Sequence, residues 1–364
     1  MAANIEVPGS PADLTPEWLT GALASRIDGA RVTGFDRESI AEGVGFLGEL
    51  QRLTLRYDRE VAGAPGSLIA KFPTANEQNR QLGMLFAFYE REIGFYRDVA
   101  PIAAVRTPEA PYAGMDQASG RFVLLLEDLA PARMGDQLKA CSAAEAKLAV
   151  TELARFHAQW WDDPRIETMG WLPPSNCMAN QAVAGLYAQS FPIFEQQARD
   201  RIAPRALEAA RKLGPKMLEL LDAFSKPPRT ILHGDYRLDN IFFGTPSGDA
   251  PLAVIDWQLL SAGRSVYDVA YFLCGSLRPG DRRAHEMEIL RSYHRALEEH
   301  GVRGYSFDEC FSDYRSCALF VQYIPVTSVG GLMDQTNERG VALFDAMVER
   351  YCAAADDLRL DELL

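Results

Sequence analysis

The sequence predicts an α+β fold in two parts, strands first and helices after. Three observations predict it. Between Phe35 and Leu129, alternating or wholly apolar runs are set off by glycine and proline. From Ser142 onward, apolar residues recur at helical spacing instead. The 364 residues, 48% of them hydrophobic, suffice for two domains or one large two-lobed one. The division expected is 1–128 for the first part and 129–364 for the second.

Composition narrows the class. A net charge of −13 makes a nucleic-acid duplex an unsuitable partner. It suits a soluble protein, or one with cationic substrates. The six cysteines are scattered and include no C-x-x-C, which fits reduced thiols in a cytoplasmic protein. The N-terminal stretch MAANIEVPGSPADLTPEW lacks the basic start and apolar run of a signal peptide. No apolar run is long enough to span a bilayer. No internal repeat and no obligate protein partner is evident.

The elements follow in order. Pro16 to Arg26 reads as a short helix, with Thr15 as N-cap and Pro16 in the first turn. Phe35 to Ala41 reads as a strand. Gly43-Val44-Gly45-Phe46-Leu47-Gly48 then forms a G-x-G-x-x-G. Leu53, Leu55 and Tyr57 alternate with Arg52, Thr54 and Arg56 as a half-exposed strand. A dinucleotide-binding G-x-G-x-x-G opens a helix. This one joins two strands, as a loop that covers nucleotide phosphates does, or as an ordinary glycine hairpin does. In Ser67 to Phe72, Lys71 stands alone in an apolar strand, where a lysine is unfavourable unless paired. Glu77 to Asp98 reads as one helix, with Leu82, Leu85, Phe86, Tyr89, Ile93 and Tyr96 at helical spacing. It offers Glu90 or Glu92 to Lys71, with Glu92 preferred. The plainer reading has Lys71 snorkelling at a strand edge.

Arg121 to Leu129 is an apolar strand running out into acids and a proline. Backbone groups from Glu127 to Leu129 are placed to meet an adenine edge. Ser142-x-x-Glu145 is a capping box for a helix to about Trp161. His157, on that helix, reads as a hydrogen-bonded core residue rather than a base. Trp160, Trp161 and Trp171 line either a pocket or the core. Arg205 to Phe224 and Gly263 to Leu277 are further helical stretches. The remainder is helical apart from an apolar interruption, Tyr323 to Gly331.

The stretch Ile231 to Trp257 carries the chemistry. Ile241-Phe242-Phe243 and Leu252-Ala253-Val254-Ile255 read as hairpin strands around a turn rich in Gly, Pro, Ser and Asp. Asp235, Asn240 and Asp256 stand at the ends of these apolar runs, where a carboxylate needs a donor or a metal. D-x-x-x-x-N with a second Asp suits Mg²⁺, which takes oxygen ligands and keeps substrate phosphate in its shell. Asn240 and Asp256 are then the metal ligands. Asp235 is left to orient a hydroxyl nucleophile, the division of labour in phosphoryl transfer. Asp268, near a helix start, would brace the Asp235 loop.

HGDYRLDN, VIDW and YDVAYF, with the upstream glycine loop, strand lysine and helix glutamate, resemble the aminoglycoside phosphotransferase superfamily. That superfamily includes choline kinase-like and ecdysteroid kinase-like proteins. The texture of GVGFLGELQRLTL and YEREIGFYRD is similar to the ecdysteroid kinase-like branch. The resemblance covers about Phe35 to Asp268. It implies a bilobal protein-kinase-like fold: a small lobe of antiparallel sheet plus helix, and a larger, mainly helical lobe. It implies ATP, with GTP as the alternative, and Mg²⁺. It implies Asp235 as catalytic aspartate, Asn240 and Asp256 on the metal, and Gly43, Gly45, Gly48, Lys71, Glu92, Glu127 and Leu129 on the nucleotide. Trp257-Gln258 follows Asp256 where protein kinases have Phe-Gly, and no long activation loop or A-P-E follows. The expected acceptor is therefore a small-molecule alcohol: steroid-like or acyl, choline-like, or an aminoglycoside. The last would want acids such as Asp308, Glu309, Asp313, Asp334 and Glu338. Readings of other classes are a catalytically silent nucleotide-binding regulator, a protein kinase and a metal-dependent phosphohydrolase.

Overall fold

The computed structural model describes residues 5–40, 47–332 and 338–363. The chain divides into two units. One comprises Met1–Ala132 and Gly244–Gln258, the other Arg133–Phe243 and Leu259–Leu364. The division thus falls at 132 rather than 128, and a later segment, 244–258, returns to the first unit.

In the first unit, helix α1 (Pro16–Ala22) precedes strands β1 (Val32–Ile40), β2 (Gly48–Tyr57) and β3 (Ser67–Pro73). Helices α2 (Glu77–Leu85) and α3 (Phe88–Gly94) follow, then β4 (Tyr112–Asp116) and β5 (Arg121–Glu127). The strands make one antiparallel sheet in the order β1-β2-β3-β5-β4. Period-two alternation decides its faces. Leu68, Ala70 and Phe72 of β3 join Leu53, Leu55, Val123 and Leu125 in a core closed by Leu19 and Leu23 of the lead-in helix region. Lys71, between Leu50 on one side and Leu124 on the other, therefore points to the opposite face.

Two helical expectations change. α1 stops at Ala22, short of Arg26, before a turn in which Asp28 and Gly29 take positive φ. The single helix expected over 77–98 breaks at Ala87, whose φ is +56. The break lays Tyr89 against Gly83, where a Cβ would lie 2.5 Å from the ring, and sends the Tyr89 hydroxyl to the Leu47 carbonyl at 2.9 Å. The apolar period runs unbroken through this corner, so periodicity alone does not reveal it.

The second unit is mainly helical: α4 (Ala143–Gln159), α5 (Met178–Ala198), α6 (Pro204–Phe224), α7 (Val266–Ser276), α8 (Pro279–Glu299), α9 (Phe307–Phe320), α10 (Tyr323–Thr327) and α11 (Glu338–Asp357). The Ser142–Glu145 capping box is formed in both directions. Ten of the eleven residues of α7 are buried, so it is the central helix of this unit. The apolar stretch from Tyr323 is itself helical. It is apolar because Ile324, Pro325, Val326 and Thr327 are all buried, which erases the amphipathic signal. No helix among the described residues is long and apolar enough to cross a membrane. The architecture is α+β, with one antiparallel five-stranded sheet in the first unit and a mainly helical second unit.

Candidate active site

In the first unit the sheet presents Lys71 to α3. Its ammonium lies 2.8 Å from a Glu92 carboxylate oxygen and 2.8 Å from Oδ1 of Asp256. Lys71 is 7% exposed and Glu92 1%. Glu90 lies elsewhere and accepts from the Gln117 amide at 3.1 Å. Burial pushes the Lys71 ammonium down, but Asp256 and Glu92 outweigh it and hold it above the ordinary lysine range. Burial also pushes the Glu92 carboxyl up; Lys71 draws it back and Asp256 raises it, leaving it above the ordinary glutamate range. One ammonium thus serves two carboxylates, and the cluster keeps a surplus negative charge.

Asp256 sits at φ +64, a left-handed conformation in which Asp is among the better-tolerated side chains. Trp257 fixes it there. The indole stacks on Phe95 with centroids 4.0 Å apart and donates to the Val254 carbonyl at 3.0 Å. The second Asp256 oxygen has the Gln258 amide at 3.4 Å. Gly48, at the head of β2, admits the lysine: a Cβ there would lie 3.0 Å from Lys71 Cε. Gly43 and Gly45 lie outside the described residues. At the end of β5 the Glu127 amide donates to the Glu109 carbonyl, and the Leu129 carbonyl accepts from Ala132. The Glu127 carboxylate is clamped by Arg106 at 2.7 and 2.9 Å.

The second unit holds the loop from His233 to Asn240. Its turn needs Gly234, at φ +84, because a Cβ there would come within 2.1 Å of the Leu259 carbonyl oxygen. The fully buried Asp268 of α7 accepts from the His233 amide at 2.7 Å and the Gly234 amide at 2.9 Å. His157 Nε2 lies 3.2 Å from the same carboxylate and Nδ1 lies 2.8 Å from the Tyr293 hydroxyl, so His157 belongs to the scaffold. Gln137 accepts from the Leu238 amide at 3.1 Å and donates to the Gly275 carbonyl at 2.7 Å.

Asp235 is gripped on both oxygens. Oδ1 accepts from the Tyr271 hydroxyl at 2.6 Å. Oδ2 accepts from the Asn240 amide at 3.0 Å and from Arg237 at 3.2 Å. The Asn240 amide nitrogen also donates to the Asp235 carbonyl at 2.9 Å. Sequence reasoning missed Tyr271 and Gln137. Tyr271 stands in the YDVAYF run, but no local pattern marks it as a partner of Asp235.

The tryptophans pack rather than line a pocket. Trp160 is wholly buried under Arg165, and Trp161 meets Tyr305 with ring centroids 4.9 Å apart. Among the acids considered for a cationic acceptor, Glu309 completes a capping box with Ser306. Asp313 is tied to Tyr305 at 3.0 Å and Arg264 at 3.3 Å. Asp334 lies outside the described residues. Within this unit a cavity of about 30 Å³ is lined by uncharged side chains, among them Asn180, Leu232, Tyr267, Phe320 and Tyr323. The Tyr267 and Tyr323 hydroxyls lie 3.2 Å apart at its edge, one helical turn along α7 from Tyr271.

Residues 42–303 match the model of the ecdysteroid kinase-like family. The chain belongs to the ecdysteroid kinase-like family. Among solved structures of this fold, choline kinase from Cryptosporidium parvum is similar, with TM-score 0.56, 10% identity, and 96% of this chain and 97% of that one covered. Amicoumacin kinase, in complex with AMP-PNP, Ca²⁺ and its ligand, is similar with TM-score 0.51, 14% identity, and 94% of each chain covered. Among curated relatives, a protein of Arabidopsis thaliana named as an acyl-CoA dehydrogenase is 37% identical over 73 residues. A kinase-like protein of Caenorhabditis elegans is 26% identical over 133 residues. Those matches cover 18% and 36% of this chain, and only 9% and 35% of the two relatives' own lengths.

Proposed function

We propose that this family member transfers the γ-phosphoryl group of ATP to a hydroxyl of a small, uncharged molecule, with Mg²⁺ required. The observation that carries the reading is the buried Lys71–Glu92–Asp256 cluster. A lysine this deep in a sheet, held charged by two carboxylates, suits neutralisation of nucleotide phosphates and has no evident value as a core residue. Asp256 and Asn240 are the oxygen donors for Mg²⁺, which would supply charge neutralisation on the phosphate oxygens. Taken one by one, their chemistry fits a hard cation: Asp256 offers a carboxylate, and Asn240, whose amide nitrogen is engaged with Asp235, would offer its amide oxygen. The base edge of the nucleotide would meet the Glu127 carbonyl and the Leu129 amide, since their companion backbone groups are already paired.

Asp235 orients the acceptor. The acceptor oxygen forms a bond to γ-phosphorus as the bond to the β–γ bridging oxygen breaks, and its proton passes late to the Asp235 carboxylate. The prior engagement of Glu309 with Ser306 and of Asp313 with Tyr305 and Arg264 favours a neutral acceptor over an aminoglycoside. The test is ADP release from MgATP with a panel of neutral and cationic alcohols. Asp235→Asn is expected to bind nucleotide as before and to lose turnover by at least about a hundredfold. Undiminished turnover in that variant refutes the assignment.

A further inference from the structure

We propose that Tyr271 is a positioning residue for the phosphoryl-transfer carboxylate, its phenol fixing Asp235 so that one direction of approach stays open to the acceptor. The inference rests on Asp235 being the carboxylate that faces the acceptor.

The donors on Asp235 are not equivalent. Arg237 and Asn240 lie on the same loop and move with it. Tyr271 reaches in from α7, 36 residues along the chain, and makes the shortest of these contacts at 2.6 Å. It comes from the most thoroughly buried helix of its unit, where ten of eleven residues are buried. Its own backbone carbonyl accepts from the Tyr351 hydroxyl at 3.1 Å, and Tyr351 lies so close to α7 that a Cβ on Gly275 would come within 2.5 Å of that hydroxyl. α11, α7 and Asp235 are thus tied in series. Burial, and then the Asp235 charge, push the Tyr271 phenol well above its ordinary range, so it keeps its proton and acts only as a donor.

Geometry gives the contact a consequence beyond support. A carboxylate offers about four lone-pair positions. Tyr271, Asn240 and Arg237 take three of them on Asp235. An incoming hydroxyl therefore finds one orientation rather than several. Loss of the phenol hydroxyl frees Oδ1 to rotate and lets acceptors approach misaligned.

The experiment compares wild type, Tyr271→Phe and Asp235→Asn by ADP release from MgATP with water as the acceptor. Tyr271→Phe keeps the ring and the Tyr351 contact. The expected result is a fall in kcat of about tenfold to a hundredfold, with KM for MgATP and the melting temperature unchanged. Placing 3-fluorotyrosine at position 271, which restores a hydroxyl on the same ring, is expected to return kcat most of the way. A merely structural role would instead lower the melting temperature, and KM and kcat would move together. If Tyr271→Phe keeps kcat within twofold of wild type while Asp235→Asn has lost turnover, the inference is overturned. Should Tyr271→Phe fold poorly, 4-aminophenylalanine and 4-methylphenylalanine at position 271 decide, since both fill the space of the phenol and only the first keeps a donor toward Asp235: kcat retained with the first and lost with the second supports the hydroxyl's role, and equal kcat in the two overturns it. Turnover surviving in Asp235→Asn overturns the premise, and the Tyr271 assignment falls with it.

Discussion

Lys71→Met is the most informative perturbation of the first unit. It removes the one cation among two carboxylates. Opposite charges about 3 Å apart interact by about 5 kcal/mol at an effective dielectric of about 20, and here the separations are 2.8 Å to Glu92 and 2.8 Å to Asp256. The two carboxylates differ in what they can recover. The Asp256 side chain is 26% exposed and can take on water, whereas that of Glu92 is 2% exposed and cannot. The cost is therefore set by Glu92, and it is about 3–5 kcal/mol, as when one partner of a buried pair is removed. Acid should relieve it. In the variant, the Glu92 carboxyl loses the ammonium that draws it down and rises further above its unfolded value of about 4.3. A carboxyl raised on folding carries no penalty below its unfolded pKa, and the penalty grows as pH rises through the interval between the two values. The deficit relative to wild type is therefore largest near neutral pH and shrinks on approach to about pH 4. Urea unfolding followed by circular dichroism at several pH values measures it. A deficit under about 1 kcal/mol at neutral pH, or one that grows on acidification, refutes the reasoning.

Gly234→Ala must fit a Cβ against the Leu259 carbonyl oxygen at 2.1 Å, at a φ of +84. It should destabilise the second unit by about 2 kcal/mol or more and cut turnover, read by melting and by ADP release. The thiols of Cys274, Cys310 and Cys352 are each pushed up to about 12, by burial first. They should react with a disulfide reagent only as the protein unfolds; rapid labelling of Cys274 in the native protein would contradict its burial in α7.

Much of this architecture was legible in the sequence, for physical reasons. A lone lysine in an apolar strand is unfavourable unless paired, so Lys71 announced a buried partner, and the helix after it offered only nearby glutamates. Ser142 and Glu145 signal a helix start because the capping contacts are local. The segment Met178–Ala198 gave a weak signal: it carries Pro192 and few charges to mark a polar face. The break at Ala87 was invisible because its cause, Tyr89 folding onto Gly83, is a tertiary contact that leaves the apolar spacing intact. Tyr271 escaped for a related reason. On α7, buried nearly all round, a tyrosine that grips Asp235 reads like any other core aromatic.

The return of residues 244–258 to the first unit bears on how the chain is made. As synthesis passes Ala132, β3 and α3 already exist, but Lys71 has only Glu92 opposite it and Phe95 has no indole to stack on. The unit reaches its full set of contacts only after more than a hundred further residues have been added and Asp256 and Trp257 emerge. A fragment cut at 132 accordingly has all five strands of the sheet but lacks the Asp256 carboxylate beside Lys71 and the Trp257 indole against Phe95, and dissecting this protein into pieces requires carrying that distant segment along.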